Sequence, residues 1–168
     1  IIPARYKSSR LPGKPLIKLL GKPMIIWVAE LATKAVGISN VFIATDDNRI
    51  ANEVNQKGYK YIMTSSSSLT GTDRVAEASL GLNYDIFVNV QGDEPLVSPK
   101  DILRCIEHKI KYKDHIINSY NLINKNQDPT SINIPKVVIN DAEDLIYMSR
   151  SLVPGFKDIK YKINSYLK

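Results

Sequence analysis

Two short stretches hold the residues whose types and spacing could do chemistry. PARYKSSRLPGK (residues 3–14) gathers Arg5, Lys7, Arg10 and Lys14 around Pro12 and Gly13, with Pro15 next, and QGDEP (residues 91–95) presents Asp93 and Glu94. Guanidinium and ammonium groups neutralise phosphate oxygens, and a carboxylate suits a hard cation such as Mg²⁺ that rides on phosphates. Brought together, Arg5, Arg10 and Lys14 would hold a polyphosphate while Asp93 holds the ion. Gly13 would let the backbone approach closely, and Pro12 and Pro15 would limit the loop's freedom before a ligand arrives. Taken alone, the cationic run is an ordinary solvated turn and the Asp93–Glu94 pair caps the segment that follows. Where the two stretches sit relative to strands has to decide.

The elements able to position them follow from the apolar pattern. Ile1 and Ile2 read as the tail of a strand, and because the sequence starts without methionine we expect residues ahead of it. GKPMIIWVAELATKAVG puts Met24, Trp27, Val28, Leu31 and Ala35 on one helical face, with Pro23 in the first turn and Gly37 just past the end. VFIAT (41–45) is an apolar run of strand length, followed by Asp46 and Asp47 at the start of a short helix that Gly58 stops, and then by a strand at YKYIMT. In TGTDRVAEASLG, Thr70 and Asp73 have capping-box spacing. YDIFVNV (84–90) is the clearest strand, apolar on both faces as in the middle of a parallel sheet. Ser98 and Pro99 start the next helix, and HIINSYNLI, PKVVIN and DLIYMS read as strands, the last two a hairpin through Asn140 and Asp141.

This alternation predicts an α/β fold, a three-layer arrangement with a mostly parallel central sheet and helices on both faces, in a single domain over residues 1–168. In such sheets ligands bind beyond the carboxyl ends of the strands. The first strand runs out into the basic loop and the 84–90 strand into QGDEP, so both stretches are expected on one edge.

The formal net charge of +6 calls for an anionic partner without choosing between nucleic acid, membrane and phosphorylated small molecule. Spacing removes several classes. Neither Gly13-Lys14 nor Gly21-Lys22 completes a P-loop, G-x-G-x-x-G and G-x-S-x-G are absent, and His108 and His115 have no cysteine pattern to make a zinc site. The aromatic residues are scattered among apparent core positions, which disfavours nucleic acid. The single Cys105 excludes an internal disulfide and reads as a structural thiol in a reducing, cytoplasmic setting. No stretch reaches the ~20 apolar residues of a membrane span, so no membrane partner is expected.

PARYKSSRLPGKPL, GKPMI, ATDD, GTDRVAE, NVQGDEPL, PKVV and YMSR, in order along the whole chain, resemble the 3-deoxy-manno-octulosonate cytidylyltransferases, the CMP-Kdo synthetases. The resemblance implies a nucleotide-diphospho-sugar transferase-like, Rossmann-like sheet and the coupling of CTP to the anomeric hydroxyl of Kdo, releasing pyrophosphate, in lipopolysaccharide biosynthesis. It implies Mg²⁺ as cofactor with Asp93 as its ligand. Ala4 and Arg5 would lie near base and ribose, and Arg10 and Lys14 on the triphosphate, these two being catalytic together with Asp93. Gly71 and Thr72 would recognise cytosine through backbone groups, Gln91 would sit at the nucleotide–sugar junction, and Arg74 and Arg150 would contact the sugar acid's carboxylate or the phosphates. The cationic cluster would then face Asp93 across a gap the width of a nucleoside triphosphate. Family members continue past the point matching Lys168 into a His- and Tyr-bearing strand and a later metal-binding Asp, so the chain is expected to lack that segment, and a homodimer is expected of the full-length form. A non-catalytic nucleotide-binding homologue, or a cytidylyltransferase for amino-Kdo or a nonulosonic acid, is the alternative.

Overall fold

Parallel strands arise where β-branched runs are buried on both faces, and the first two such runs of this chain pair directly. The computed structural model describes residues 1–7, 11–124 and 126–155. Its elements in order are β1 (Ile2–Ala4), a 3₁₀ turn (Lys14–Leu16), β2 (Lys18–Leu19), β3 (Lys22–Pro23), α1 (Met24–Val36), a second 3₁₀ turn (Ile38–Asn40), β4 (Phe42–Thr45), α2 (Asn48–Gln56), β5 (Lys60–Met63), α3 (Gly71–Ser79), α4 (Pro99–Lys111), β6 (Lys136–Ile139) and β7 (Leu145–Ser149). Two compact units result, Ile1–Ile117 and the chain from Asn118 onward.

In the first unit β1, β4 and β5 form a parallel sheet in the order β1–β4–β5, with Ile2 opposite Ile43 and Ala44 opposite Ile62. The crossovers through α1 and α2 advance the same way across the sheet, which puts both helices over one face when each is right-handed. After α3 the chain returns to the far side of β1, and the reversed direction carries α3 over the opposite face; α3 packs on β1 and β4 and α4 on α1. Ile2, Ile25, Val28, Ile43, Ile50 and Val54 form the core, each no more than 1% exposed and contributing roughly 1.5–3 kcal/mol by leaving water.

Local signals place the helices. Asp47 caps α2 by accepting from Arg49 N at 2.9 Å, Gly58 follows its end at φ 80°, and Thr70 and Asp73 form the capping box of α3. Ser98 is the N-cap of α4 with Pro99 following, as expected, though its side chain makes no capping hydrogen bond. The buried stripe of α1 runs through Ile25, Val28, Ala29 and Ala32, and is rotated from the expected one because Trp27 is held elsewhere. Its indole N–H donates to Leu19 O at 2.9 Å and its ring lies under the Lys22 ammonium, so it covers the β2–β3 turn.

The 84–90 run is not a strand, which corrects the expectation. Ile1 N donates to Val88 O at 2.8 Å and Val90 N to Ile1 O at 3.1 Å, so it lies beside β1 in parallel. The next rung on that side falls two residues along, at Pro3, which has no N–H to give. The ladder ends there for want of a donor. His115–Ile123 is also irregular apart from a bridge at Leu122; Ile116 is 97% exposed, so its alternation backs no buried face.

In the second unit β6 and β7 form the expected antiparallel hairpin, Val137 opposite Met148. Asn140 Oδ1 accepts from Ala142 N and Asp144 N, fixing the turn. Lys136 is 1% exposed, and its ammonium donates to the carbonyls of Ser131, Ile134 and Arg150 at 2.8, 2.9 and 2.7 Å.

Gly92 sits where the backbone passes close to β1: a Cβ there would lie 2.6 Å from Pro3 O. Neither partner is a side chain that can step aside. Gly92→Ala is therefore expected to destabilise the first unit by about 1–3 kcal/mol, the usual range for overpacking, read as a lower urea midpoint at unchanged m-value.

Candidate functional site

The strand order creates the site. β1 has β4 on one side and the 84–90 run on the other, and the chain visits β4 and β5 before coming back, so direction reverses between β1 and that run. A crevice opens beyond the carboxyl ends at such a switch point. Here the two ends release the basic loop and QGDEP.

The loop is closed by its own backbone. Gly13 N donates to Tyr6 O at 2.8 Å, and Gly13 takes φ 70°, a left-handed conformation that would strain another residue. Its missing side chain also leaves room for Tyr6, whose ring would come within 3.1 Å of a Cβ. Lys14 follows at once and its ammonium reaches Asp93 Oδ2 at 2.6 Å. The two stretches therefore share one edge, as expected. At Lys14 and Asp93 no gap separates them: the cation and the carboxylate neutralise each other by direct contact. Both side chains remain substantially exposed, 37% and 50%, so either can exchange its partner for a ligand.

The other candidates sort by position. Ala4 is buried at the end of β1 and Arg5 is exposed just beyond it. Gly71 opens α3 beside Pro3 and Gln91; a Cβ on it would lie 3.4 Å from the Pro3 ring and 3.5 Å from Gln91 Oε1. Gln91 Nε2 donates to Asn89 Oδ1 at 3.0 Å, and Thr72 is exposed on the first turn of α3. Arg10 lies outside the described residues. Arg150 belongs to the second unit, where its guanidinium donates to Ile132 O at 2.9 Å.

Arg74, expected near the sugar acid or the phosphates, is held by protein groups. It is 2% exposed, its guanidinium donating to Thr64 Oγ1 and pairing with Asp46 Oδ2 at 3.1 Å. These contacts tie α3 to the ends of β4 and β5. Asp46 Oδ1 is buried with no hydrogen-bond partner among the described residues, and Arg74 is the cation paired with this carboxylate.

Three residues at this edge escaped the reading of the sequence as site residues: Tyr6, Asp47 and Arg49. Arg49 grips Asp47 with two hydrogen bonds, Nε to Oδ1 at 2.9 Å and Nη2 to Oδ2 at 2.7 Å, and lays its guanidinium 3.3 Å from the centre of the Tyr6 ring. The hydrogen bond from Arg49 holds the Asp47 carboxyl below its ordinary range and raises the Arg49 guanidinium in turn. The signal available was the acidic pair after VFIAT.

Among the described residues no cluster of His, Cys, Asp and Glu could close a metal site by itself. Asp93 alone still fits Mg²⁺, which keeps several waters and takes one or two carboxylates plus substrate phosphates. An apolar cavity of about 220 Å³ between the 84–90 run, α1 and α4 is lined by residues such as Ile2, Phe87 and Ile106 and offers no charged side chain. No helix among the described residues is long and apolar enough to cross a membrane.

Comparison with known proteins gives a consistent picture. The family described as cytidylyltransferase matches residues 1–168. The chain is 45% identical over 159 residues to the 3-deoxy-manno-octulosonate cytidylyltransferase of Trichlorobacter lovleyi, covering 94% of this chain and 63% of that protein. It is 39% identical over 161 residues to the Escherichia coli protein of the same name, covering 92% and 63%. An 8-amino-3,8-dideoxy-manno-octulosonate cytidylyltransferase of Shewanella sp. strain ANA-3 is 40% identical over 175 residues, covering 99% and 71%. Thus the chain spans about six-tenths of the length of the first two relatives. Among solved structures, CMP:2-keto-3-deoxy-manno-octonic acid synthetase complexed with CTP superposes with a TM-score of 0.85 at 36% identity, covering 99% of this chain and 71% of that one.

The two ion pairs should respond very differently to loss of the cation. Arg74→Met strands a buried carboxylate and is expected to cost about 3–5 kcal/mol, whereas Lys14→Met opens an exposed pair and should cost less than about 1 kcal/mol. Urea unfolding of both variants beside the parent chain measures the contrast.

Proposed function

The chain belongs to the cytidylyltransferase family, and on that premise we propose that it binds CTP in the crevice between the basic loop and QGDEP and transfers CMP to the anomeric hydroxyl of a 3-deoxy-2-ulosonic acid, Kdo. The observation that carries this reading is the direct meeting of Lys14 and Asp93 at the switch point, a cation for phosphate beside a carboxylate for metal. The solved relative complexed with CTP, alike over nearly the whole of this chain, supports the choice of nucleotide.

In this reading the sugar's anomeric oxygen attacks the α-phosphorus as the bond to the bridging oxygen of pyrophosphate breaks, and the hydroxyl proton passes to solvent. Little covalent chemistry is asked of the protein; orientation and charge supply the rate. Lys14 gives up Asp93 for the triphosphate oxygens, with Arg10 as its companion, and stabilises the charge that collects on the leaving pyrophosphate. Asp93 would hold Mg²⁺, which when bound neutralises phosphate charge and favours departure of pyrophosphate. The backbone at Gly71 and Thr72, opening α3 beside Gln91, reads the cytosine, and Ala4 and Arg5 border base and ribose. Arg74 and Arg150 are the candidates for the acceptor's carboxylate. The complete protein would act as a cytoplasmic homodimer in lipopolysaccharide biosynthesis. The Shewanella relatives make 8-amino-Kdo the acceptor to compare with Kdo.

Calorimetric titration with CTP and Mg²⁺, then pyrophosphate release on adding each sugar acid, tests this. Charge-assisted contacts of about 1.5–3 kcal/mol predict that Lys14→Ala weakens CTP binding about 10- to 100-fold, while Asp93→Asn mainly lowers turnover. UTP or ATP binding as tightly as CTP would overturn the nucleotide assignment. CTP binding with no pyrophosphate released by either acid would leave the non-catalytic reading in its place.

A further inference from the structure

The residues that hold the basic loop in shape lie partly outside it. Tyr6 joins the two ends of the loop: its carbonyl accepts from Gly13 N at 2.8 Å and its ring packs where a Gly13 side chain would otherwise stand. Gly13 in turn starts the 3₁₀ turn Lys14–Leu16 through its carbonyl, which accepts from Leu16 N at 2.9 Å, so the Tyr6 ring sets where Lys14 departs. The ring is covered by Arg49 at 3.3 Å, close enough for stacking of a planar cation on a π face. Arg49 cannot swing away without losing its double hydrogen bond to Asp47, and Asp47 is fixed by capping α2. A continuous column of contacts thus runs Asp47, Arg49, Tyr6, Gly13, Lys14, Asp93, from the end of β4 across to QGDEP.

We propose that Asp47, Arg49 and Tyr6 are positioning residues that preorganise Gly13 and Lys14 for the nucleotide, an inference that rests on the reading of the crevice as a CTP site. None of the three is required to touch the ligand. Their effect is to place the loop before CTP arrives, so that binding does not bear the entropy of ordering it.

The variants separate this role from simple support of the fold. Tyr6→Phe keeps the ring. Arg49→Lys keeps the charge but loses the planar fork and the stack, and Asp47→Asn keeps a good helix cap while releasing the guanidinium. Two readouts are taken on the full chain: the Kd for CTP, and the rate of tryptic cleavage at the basic positions of residues 5–14 without nucleotide, followed by mass spectrometry. The expected result is a three- to tenfold weaker Kd and faster cleavage in that loop for Arg49→Lys and Asp47→Asn, with no added loss when the two are combined, and parental behaviour for Tyr6→Phe. Parental Kd and cleavage in Arg49→Lys and Asp47→Asn, whatever their melting temperatures, would overturn the proposal. Should the parent chain itself fail to bind CTP, the functional reading falls, while the cleavage rates still show whether the column orders the loop.

Discussion

The working edge of the sheet depends on how closely the chain passes itself at Pro3 and Gly92. A proline on β1 withholds the hydrogen that would extend its ladder toward QGDEP, so the run that ends at Val90 stops hydrogen bonding to β1 just as that motif begins. A glycine then lets the released backbone lie against the Pro3 carbonyl. One residue subtracts a donor and the other a side chain. Together they bring Asp93 to Lys14, and neither carries a charge.

Features written in a few neighbouring residues were legible in the sequence. The Thr70–Asp73 box, the Asp47 cap, the glycine after α2 and the Asn140 turn are local hydrogen-bond chemistry, and they sit where the residues asked for them. The shared edge of the two motifs was legible too, because a parallel sheet leaves strand ends little choice. What could not be read depended on distant partners. The 84–90 run has the composition of a strand, yet its hydrogen bonds to this sheet are confined to Ile1, a limit its own residues do not show. Asp46 and Thr64, the protein partners of Arg74, lie at the ends of other elements and are not visible from its own helix, and Tyr6 and Arg49 have no sequence signature that unites them.

Charge is used in two opposite ways within a short distance of the sheet edge. Lys14 and Asp93 meet where water still reaches both, so the pair is cheap to form and cheap to exchange. Arg74 and Asp46 meet out of water, where separation leaves a charge with nothing to solvate it, and the pair is committed to the fold. Similar pairs of groups thus serve as a replaceable contact in one place and a permanent fastening in the other. Exposure, not distance or residue type, draws the line.

The second unit shows a third use of a cation. Lys136 points its ammonium hydrogens at the oxygens of Ser131 and Ile134, from one turn, and of Arg150, just past β7. Three acceptors match the three hydrogens of an ammonium, and the covalent tether means this charge is never lost to dilution. Arginine is a poor understudy for it, since a flat fork cannot serve acceptors gathered about a point.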